Sequence, residues 1–466
     1  MRYKDKYALI TDKGEKVTYS ALDTMIHELT KCIMGNRLAL IIMNNDLGAV
    51  VFYLLCLKAG IVPIIVEKNA SAIEIQQYIQ QYEPEYILTL KSNMTIQSVL
   101  EKWSFHPIKE IFRHTLYEKG KSGRKKIHKD LAILLPTSGT THVSKLVRIS
   151  RENLNDNAEN ICEALKIQSD DIAVTSLPLS YTYGLSVLNT HLFKHATVLL
   201  TDKSVLQKSF WELVDKYKVT SFAGVPYTYE LLQMNGHLEK ENPIKVYTQA
   251  GGRLSPGLQK IYTGHCIETD KKFFVMYGQT EATARMSVLQ MEDAQRKTGS
   301  VGKAIPGGTF FVEKNRGSDQ DGEIIYSGKN VCMGYCSCLE DLELGDVNEG
   351  SLRTGDFGYL DEDGFLYITG RKGDFIKKYG RRINLNSISQ MIEEIWEVKT
   401  CCTYKNNLIV IVYEEKSRNR IPEIQRELYQ RLHLRQSDFS YYGVDHFERT
   451  YNGKIHLGGK SNGKYI

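Results

Sequence analysis

Five short segments combine hydroxyls, carboxylates, glycines and lysines in the way that phosphate chemistry needs. The first is Thr137-Ser138-Gly139-Thr140-Thr141-His142-Val143-Ser144-Lys145. Such a loop turns backbone N–H groups and side-chain hydroxyls toward a polyphosphate, and its lysine adds a point charge. A Walker loop is excluded, because it needs a glycine directly before its lysine and that position is Ser144. The second segment is Tyr277-Gly278-Gln279-Thr280-Glu281. A tyrosine can stack on a base, and a hydroxyl with a carboxylate can hold a phosphate-bound magnesium ion. The third is Thr354-Gly355-Asp356, whose carboxylate can accept from both hydroxyls of a ribose. The fourth runs from Gly370 and Arg371 through Gly373 to Lys377, followed by Gly380-Arg381-Arg382-Ile383. The fifth is Asn452-Gly453-Lys454-Ile455. Taken singly, each also reads as an ordinary surface turn.

The elements around these segments are those of an α/β protein. Leu38 to Met43 reads as a buried strand, Leu47 to Leu57 as a helix and Ile61 to Val66 as the next strand. Tyr86 to Leu90, Ile133 to Leu135 and Phe273 to Met276 are further strands, and a helix follows from about Asn153 to Leu165. This β-α-β rhythm implies parallel sheets covered by helices. From Gly299 to Leu366 short strands alternate with glycine-rich turns, which predicts a small β-barrel-like section. After Gly370 the pattern is mixed, with a helix near Ser387 to Trp396 and a strand at Leu408 to Tyr413. The expected division is a large domain over 1–371 and a small mobile α+β domain over 372–466.

The bulk properties exclude several classes. The chain has 466 residues, 42% of them hydrophobic and 25% charged, with a net charge of +5; this is an ordinary globular balance and more than one core. The basic run Lys121 to Lys129 has no interleaved aromatic residues, so it reads as a solvated loop and not as a nucleic-acid surface. The nine cysteines have no regular spacing, and no histidine near Cys332, Cys336 and Cys338 completes a zinc pattern. Reduced thiols are the default, which predicts a cytoplasmic protein. The start of the chain is charged where a signal peptide needs an apolar core. Lys58 and Pro63 interrupt the longest apolar stretch, so no membrane span is expected.

In order and spacing, the five segments resemble the adenylate-forming superfamily of acyl-CoA synthetases, peptide-synthetase adenylation domains and luciferases. The resemblance also takes in Val17 to Leu22, Leu57 to Gly60, Leu177 to Gly184, Ala250 to Gly252, and Gly322-Glu323 to Gly334-Tyr335. It implies ATP-dependent activation of a small carboxylic acid as an acyl-AMP, with magnesium, followed by transfer to a thiol. That thiol is either CoA or the phosphopantetheine of a separate carrier protein. Position by position, it implies that Thr137, Ser138, Gly139, Thr140, Thr141 and Lys145 guide the phosphates. Ala250, Gly251, Gly252 and Tyr277 match the adenine site, and Asp356 and Arg371 the ribose contacts. Thr280 and Glu281 match the α-phosphate and magnesium positions. Lys454 matches the mobile lysine that bridges carboxylate and α-phosphate. Tyr181, Tyr183, Phe222, Tyr227, Arg253 and Arg285 are expected at the acid pocket. The two arginines are consistent with an extra acidic group on the substrate, or with bracing of the loops.

The chain also departs from the pattern. His142 and Ser144 replace a glycine and a proline in the phosphate loop, and Tyr181 stands where many relatives have histidine. The hinge position, often charged, is Gly373; Leu385, Ser387 and Ser389 replace a proline and glutamates after it. Glu448 replaces a proline ahead of Lys454. Gly458-Gly459-Lys460-Ser461 looks like a carrier-domain serine site, but so short a match reads as coincidence. Lys464 ends a second Asn-Gly-Lys; Lys454 is preferred because Arg449, Thr450 and Ile455 around it also match. Two other classes stay open: a non-catalytic nucleotide-binding relative, and a luciferase-like oxidative enzyme.

Overall fold

Buried strands and capped helices alternate along the first three hundred residues, and they build two large sheets. A computed structural model describes residues 3–120, 123, 125–137, 145–237, 240–314, 321–379, 381–432, 434–449, 455, 460–461 and 464–465. By contacts the chain forms two compact units, 1–310 with 326–352, and 311–325 with 353–466.

The first unit holds an eight-stranded and a nine-stranded sheet. In the eight-stranded sheet the strands Leu131–Pro136, Val62–Glu67, Leu38–Met43 and Tyr86–Leu90 are neighbours and parallel. All six residues of Leu38–Met43 are buried, which is why that strand reads as an unbroken apolar run. The Leu47–Ala59 helix begins where Asp46 accepts from the Ala49 N–H and ends at left-handed Gly60. In the nine-stranded sheet Ser221–Gly224, Val246–Gln249 and Lys272–Tyr277 run parallel side by side. Both sheets acquire antiparallel strands at their flanks, so they are mixed, not purely parallel. The physical reason is connection length: short turns fold a strand back as a hairpin, whereas a parallel neighbour needs a crossover.

The expected barrel-like section is an open four-stranded sheet. Its order is Thr309–Lys314, Gly322–Ser327, Ser351–Leu360, Leu366–Arg371, so its outer strands are edges. The strand Gly334–Cys336, in the same stretch of sequence, pairs instead with Leu146–Ser150 in the eight-stranded sheet.

The second unit continues with the hairpin Phe375–Lys378 and Arg381–Asn384. A three-stranded sheet follows with Leu408–Glu414 at its centre, antiparallel to Thr400–Lys405 and parallel to Phe439–Val444. The Leu385–Trp396 and Ile421–Leu432 helices bury Ile388, Ile392, Trp396, Ile424 and Leu428 against Ile409 and Ile411. No helix among the described residues is long and apolar enough to cross a membrane.

Candidate active site

The strand Leu131–Pro136 leads into half-buried Thr137, the first residue of the segment expected to guide the phosphates. Ser138, Gly139, Thr140, Thr141, His142 and Ser144 lie outside the described residues. The chain returns at exposed Lys145 and enters Leu146–Ser150, which pairs with Leu131–Pro136 on one side and Gly334–Cys336 on the other. Arg148 of this strand is fully buried. Its guanidinium donates to the carbonyls of Tyr335 (3.0 Å), Met333 (2.7 Å), Leu344 (2.5 Å) and Gly345 (3.1 Å). These bonds pin the backbone that carries Tyr335. The Tyr335 hydroxyl donates to Glu281 Oε1 at 2.9 Å, and Lys145 Nζ lies 5.9 Å from the centre of the Tyr335 ring. Burial, and then the Glu281 charge, push the Tyr335 phenol above its usual range, so it stays a proton donor.

Thr280 and Glu281 sit on a single 3-10 turn, Thr280–Ala282, just past the buried end of Lys272–Tyr277. Gly278 makes that turn possible. A Cβ there would lie 1.7 Å from the Ala284 carbonyl oxygen and 2.7 Å from Arg285 Cα, so the chain doubles back closer than any side chain allows. The turn is tied down by backbone bonds: the Cys332 N–H donates to Glu281 O at 2.9 Å and the Met286 N–H to Tyr277 O at 2.8 Å. The Thr280 hydroxyl is 2.9 Å from the Thr182 hydroxyl at the start of the Thr182–Phe193 helix. Gln279 Nε2 donates to the Tyr277 hydroxyl at 3.1 Å, and the Tyr277 ring lies 6.3 Å from that of Phe310.

The segment Ala250 to Gly252 approaches Tyr181, one of the residues expected at the acid pocket. Gly251 has φ +85, and a Cβ on it would lie 2.3 Å from the Tyr181 hydroxyl. Tyr181 stands edge-on to Tyr183, 6.4 Å between ring centres. The buried Tyr183 hydroxyl bonds to Thr248 O (2.9 Å) and Thr248 Oγ1 (2.8 Å). The Arg285 guanidinium lies 4.8 Å from the centre of the Tyr183 ring. Ala250, Tyr183, Ala223 and Val225 share one apolar cluster, against which Tyr181 and Tyr227 pack.

Two pocket residues stand apart from that cluster. Phe222 packs among Phe210, Trp211, Tyr229 and Tyr247. The cause is strand alternation: its neighbour Ala223 takes the face toward Tyr183, and Phe222 takes the opposite one. Arg253 is exposed in the loop before the Pro256–Glu268 helix, whereas Arg285 is 2% exposed. The two arginines therefore differ in environment, one at the surface and one in the interior.

In the second unit, Asp356 and Arg371 face each other across paired strands, and Arg371 Nε donates to buried Asp356 Oδ1 at 2.6 Å. Gly373 is exposed in the turn Lys372–Asp374, where a Cβ would meet nothing within 4 Å. Lys454 lies outside the described residues.

Donor chemistry decides whether magnesium fits. Among the described residues no three or more His, Cys, Asp or Glu side chains cluster as a metal cage. Glu281 supplies one carboxylate, with Tyr335 holding one of its oxygens. A magnesium ion that takes its remaining oxygens from phosphates and water needs only one or two carboxylates. The residues present fit such an ion.

Thr182, Tyr335 and Arg148 escaped the sequence reading as site residues. Thr182 and Tyr335 lie inside recognised segments but bear no motif role of their own. Nothing local marks Arg148, whose four acceptors are roughly two hundred residues away in sequence.

Residues 1–336 match the family model described as AMP-binding enzyme. This chain belongs to the AMP-binding enzyme family. It is 25% identical over 400 residues to the 2-succinylbenzoate–CoA ligase of Oceanobacillus iheyensis, an alignment covering 84% of this chain and 81% of that enzyme. It is 31% identical over 269 residues to the oxalate–CoA ligase of Arabidopsis thaliana, covering 55% of this chain and 51% of that enzyme; the alignment thus spans about half of that relative's length. Among solved structures, the o-succinylbenzoate CoA synthetase of Bacillus subtilis with its acyl-adenylate intermediate matches with a TM-score of 0.76. The identity there is 21%, over 97% of this chain and 94% of that one. The same Bacillus enzyme has also been solved with ATP and a magnesium ion. The family inferred from the five segments is thus the family found, and the α/β fold with a small C-terminal domain is that of its solved members.

Proposed function

We propose that this chain joins a carboxylic acid to AMP, releasing pyrophosphate, and then passes the acyl group to the thiol of CoA. It is an AMP-forming acid–thiol ligase. The observation that carries the residue assignment is the pairing of two small constellations on one turn: Thr280 with Thr182, and Glu281 with Tyr335.

In the first half-reaction an oxygen of the acid attacks the α-phosphorus and pyrophosphate leaves. The attack brings two anions together, so the site must offset charge. Thr182 and Thr280 hold hydroxyls where α-phosphate oxygens need donors. Glu281 stays oriented by Tyr335 and would hold magnesium, which supplies charge neutralisation when bound. Lys145 and the hydroxyls of Thr137, Ser138, Thr140 and Thr141, with Gly139, guide the outer phosphates. Ala250, Gly251, Gly252 and Tyr277 receive adenine, and Asp356 with Arg371 the ribose. Lys454 bridges carboxylate and phosphate. In the second half-reaction the thiol attacks the acyl carbon and AMP leaves. Lys454 must first withdraw, which makes 1–371 and 372–466 the moving parts and Gly373 their hinge.

The relatives' names support CoA over a carrier protein as acceptor, and the two acids named, 2-succinylbenzoate and oxalate, each carry two acidic groups. The free state of all nine cysteines supports a cytoplasmic location. The test is acid-dependent pyrophosphate release from ATP, with and without CoA, and mass spectrometry of the products. Acyl-AMP without CoA and acyl-CoA with it are the expected outcomes. No acid-dependent pyrophosphate over a broad acid panel would sink the reading, and transfer only to a carrier protein would replace CoA.

A further inference from the structure

Among the described residues, Thr283 is the one β-branched residue whose backbone takes a left-handed conformation, with φ 61 and ψ −9. Branching at Cβ makes that conformation costly, which is why such positions favour glycine or asparagine. Thr283 is buried and stands directly after the turn Thr280–Ala282. Its hydroxyl donates to the Asn330 carbonyl at 2.6 Å, and its N–H donates to Thr280 O at 3.0 Å. A strained residue of this kind persists only where its surroundings over-determine it.

The surroundings of Thr283 do so. Asn330 is buried, and its amide oxygen accepts from the Tyr326 hydroxyl at 3.0 Å. That bond fixes the amide so that Nδ2 donates to Ala282 O at 2.9 Å and to Arg285 O at 3.2 Å. All three carbonyls of the turn are thereby engaged: Thr280 O by the Thr283 N–H, Glu281 O by the Cys332 N–H at 2.9 Å, and Ala282 O by Asn330. Residues 330–335 thus grip the turn along its length and end at Tyr335, which holds Glu281 Oε1. Behind them, buried Asn153 and Asn157 lie one turn apart on the helix Arg151–Leu165. Asn153 Nδ2 donates to Lys329 O at 2.7 Å and Val331 O at 2.8 Å, on either side of Asn330. Asn157 Nδ2 donates to Arg285 O at 3.0 Å. One helix face therefore anchors both the turn's exit and the segment that grips it.

Stability alone does not account for threonine at 283, because a residue without the branch would relieve the backbone. What threonine adds is stiffness: its few rotamers keep the hydroxyl on the Asn330 carbonyl. Stiffness matters at a turn whose side chains must meet developing charge without rearranging. We infer that Thr283 and Asn330 are positioning residues that hold the Thr280–Glu281 turn in its reacting geometry. Thr283 does so through its hydroxyl and Asn330 through its amide, and both act through the turn. The inference rests on the assignment of Thr280 to the α-phosphate and Glu281 to magnesium.

The test uses Thr283→Val, which keeps the branch and loses the hydroxyl, and Thr283→Ser, which keeps the hydroxyl and loses the branch. ATP binding is measured by calorimetry with magnesium and with EDTA in its place. Thermal unfolding runs beside it, with pyrophosphate exchange on oxalate, 2-succinylbenzoate, benzoate and acetate. Thr283→Val should weaken magnesium-ATP binding by about tenfold and slow exchange by roughly ten- to a hundredfold. Its ATP binding in EDTA should stay within a few-fold of wild type. Thr283→Ser should keep binding and exchange within a few-fold, with an unfolding temperature at or above that of wild type. Thr283→Ala serves if Thr283→Val does not fold. In a Glu281→Gln background, Thr283→Val should add little to the magnesium-dependent loss. Three results overturn the inference: wild-type binding and exchange in Thr283→Val, equal losses with and without magnesium, or a Thr283→Ser that falls as far as Thr283→Val. A wild type that binds magnesium-ATP no tighter than ATP alone overturns it as well. If no acid supports exchange, the adenylation reading fails and magnesium-ATP binding alone decides the positioning role. If wild type exchanges and Thr283→Val matches it, adenylation stands and the positioning role fails.

Discussion

Gly251 and Tyr181 offer a sharp test of whether the segment proposed for adenine and the proposed acid pocket are joined. Gly251→Ala introduces two separate costs. At φ +85 an alanine is strained by about 1–3 kcal/mol whatever surrounds it. Its Cβ would also meet the Tyr181 hydroxyl at 2.3 Å, inside the 3.0 Å that real Cβ contacts keep. To escape, the ring must leave its rotamer, about 0.5–1.5 kcal/mol, and loosen its edge-on contact with Tyr183, about 0.5–1.5 kcal/mol. Most of the second cost goes with the hydroxyl, because the next neighbours, Val225 Cγ1 and Tyr181 Cζ, are at 3.3 and 3.4 Å and need give only a few tenths of an ångström. A double-mutant cycle of Gly251→Ala and Tyr181→Phe should therefore show a coupling of about 1–3 kcal/mol, or roughly 5- to 150-fold in kcat/KM for ATP. The assay is ATP–pyrophosphate exchange on the four proteins, with unfolding curves as a control. If Gly251→Ala costs the same in both backgrounds, the two segments do not communicate through this contact and the reasoning fails.

Other outcomes follow from single groups. Glu281→Gln keeps its shape but loses the charge, so turnover at limiting magnesium should fall by about two orders of magnitude without loss of fold; wild-type turnover under those conditions would remove Glu281 from the metal. Tyr335→Phe, which only frees Glu281 Oε1, should cost less, about tenfold, and mainly in magnesium dependence. Lys454→Ala should abolish adenylation by two orders of magnitude or more while thiol transfer from supplied acyl-AMP survives; unchanged exchange would point to Lys464. Gly373→Pro should leave at most one half-reaction running, since proline fixes φ near −65° at the hinge. Gly373→Ala, by contrast, meets nothing within 4 Å here, so wild-type stability is expected. Burial lowers the His191 pKa from 6.5 to about 4. The unfolded chain therefore takes up a proton between those values that the folded chain refuses, and stability falls as pH drops through that window, by about 3 kcal/mol in all. His191→Gln should flatten this part of a urea-midpoint-versus-pH curve, and an unchanged slope would show that another group titrates there.

Local pattern was enough for much of this molecule, and the reason is that its signals are short-ranged. The short unbroken apolar run from Leu38 to Met43, ended by Asn44 and Asn45, suits a strand covered on both faces, and Asp46 and Gly60 mark the ends of the next helix within a few residues. The five chemical segments keep their order, so the family was legible without a fold. Long-range pairing was not legible in the same way. No local rule says that Gly334–Cys336 leaves its neighbours for Leu146–Ser150, the pairing that helps set Tyr335 beside Glu281. Nor does sequence say which face of a strand looks at substrate: a single step of the pleat puts Ala223 toward Tyr183 and turns Phe222 into the aromatic core. The two arginines beside recognised motifs are alike as letters. Only packing separates them, leaving Arg253 at the surface and Arg285 in the interior, because burial is a property of residues brought together from distant parts of the chain.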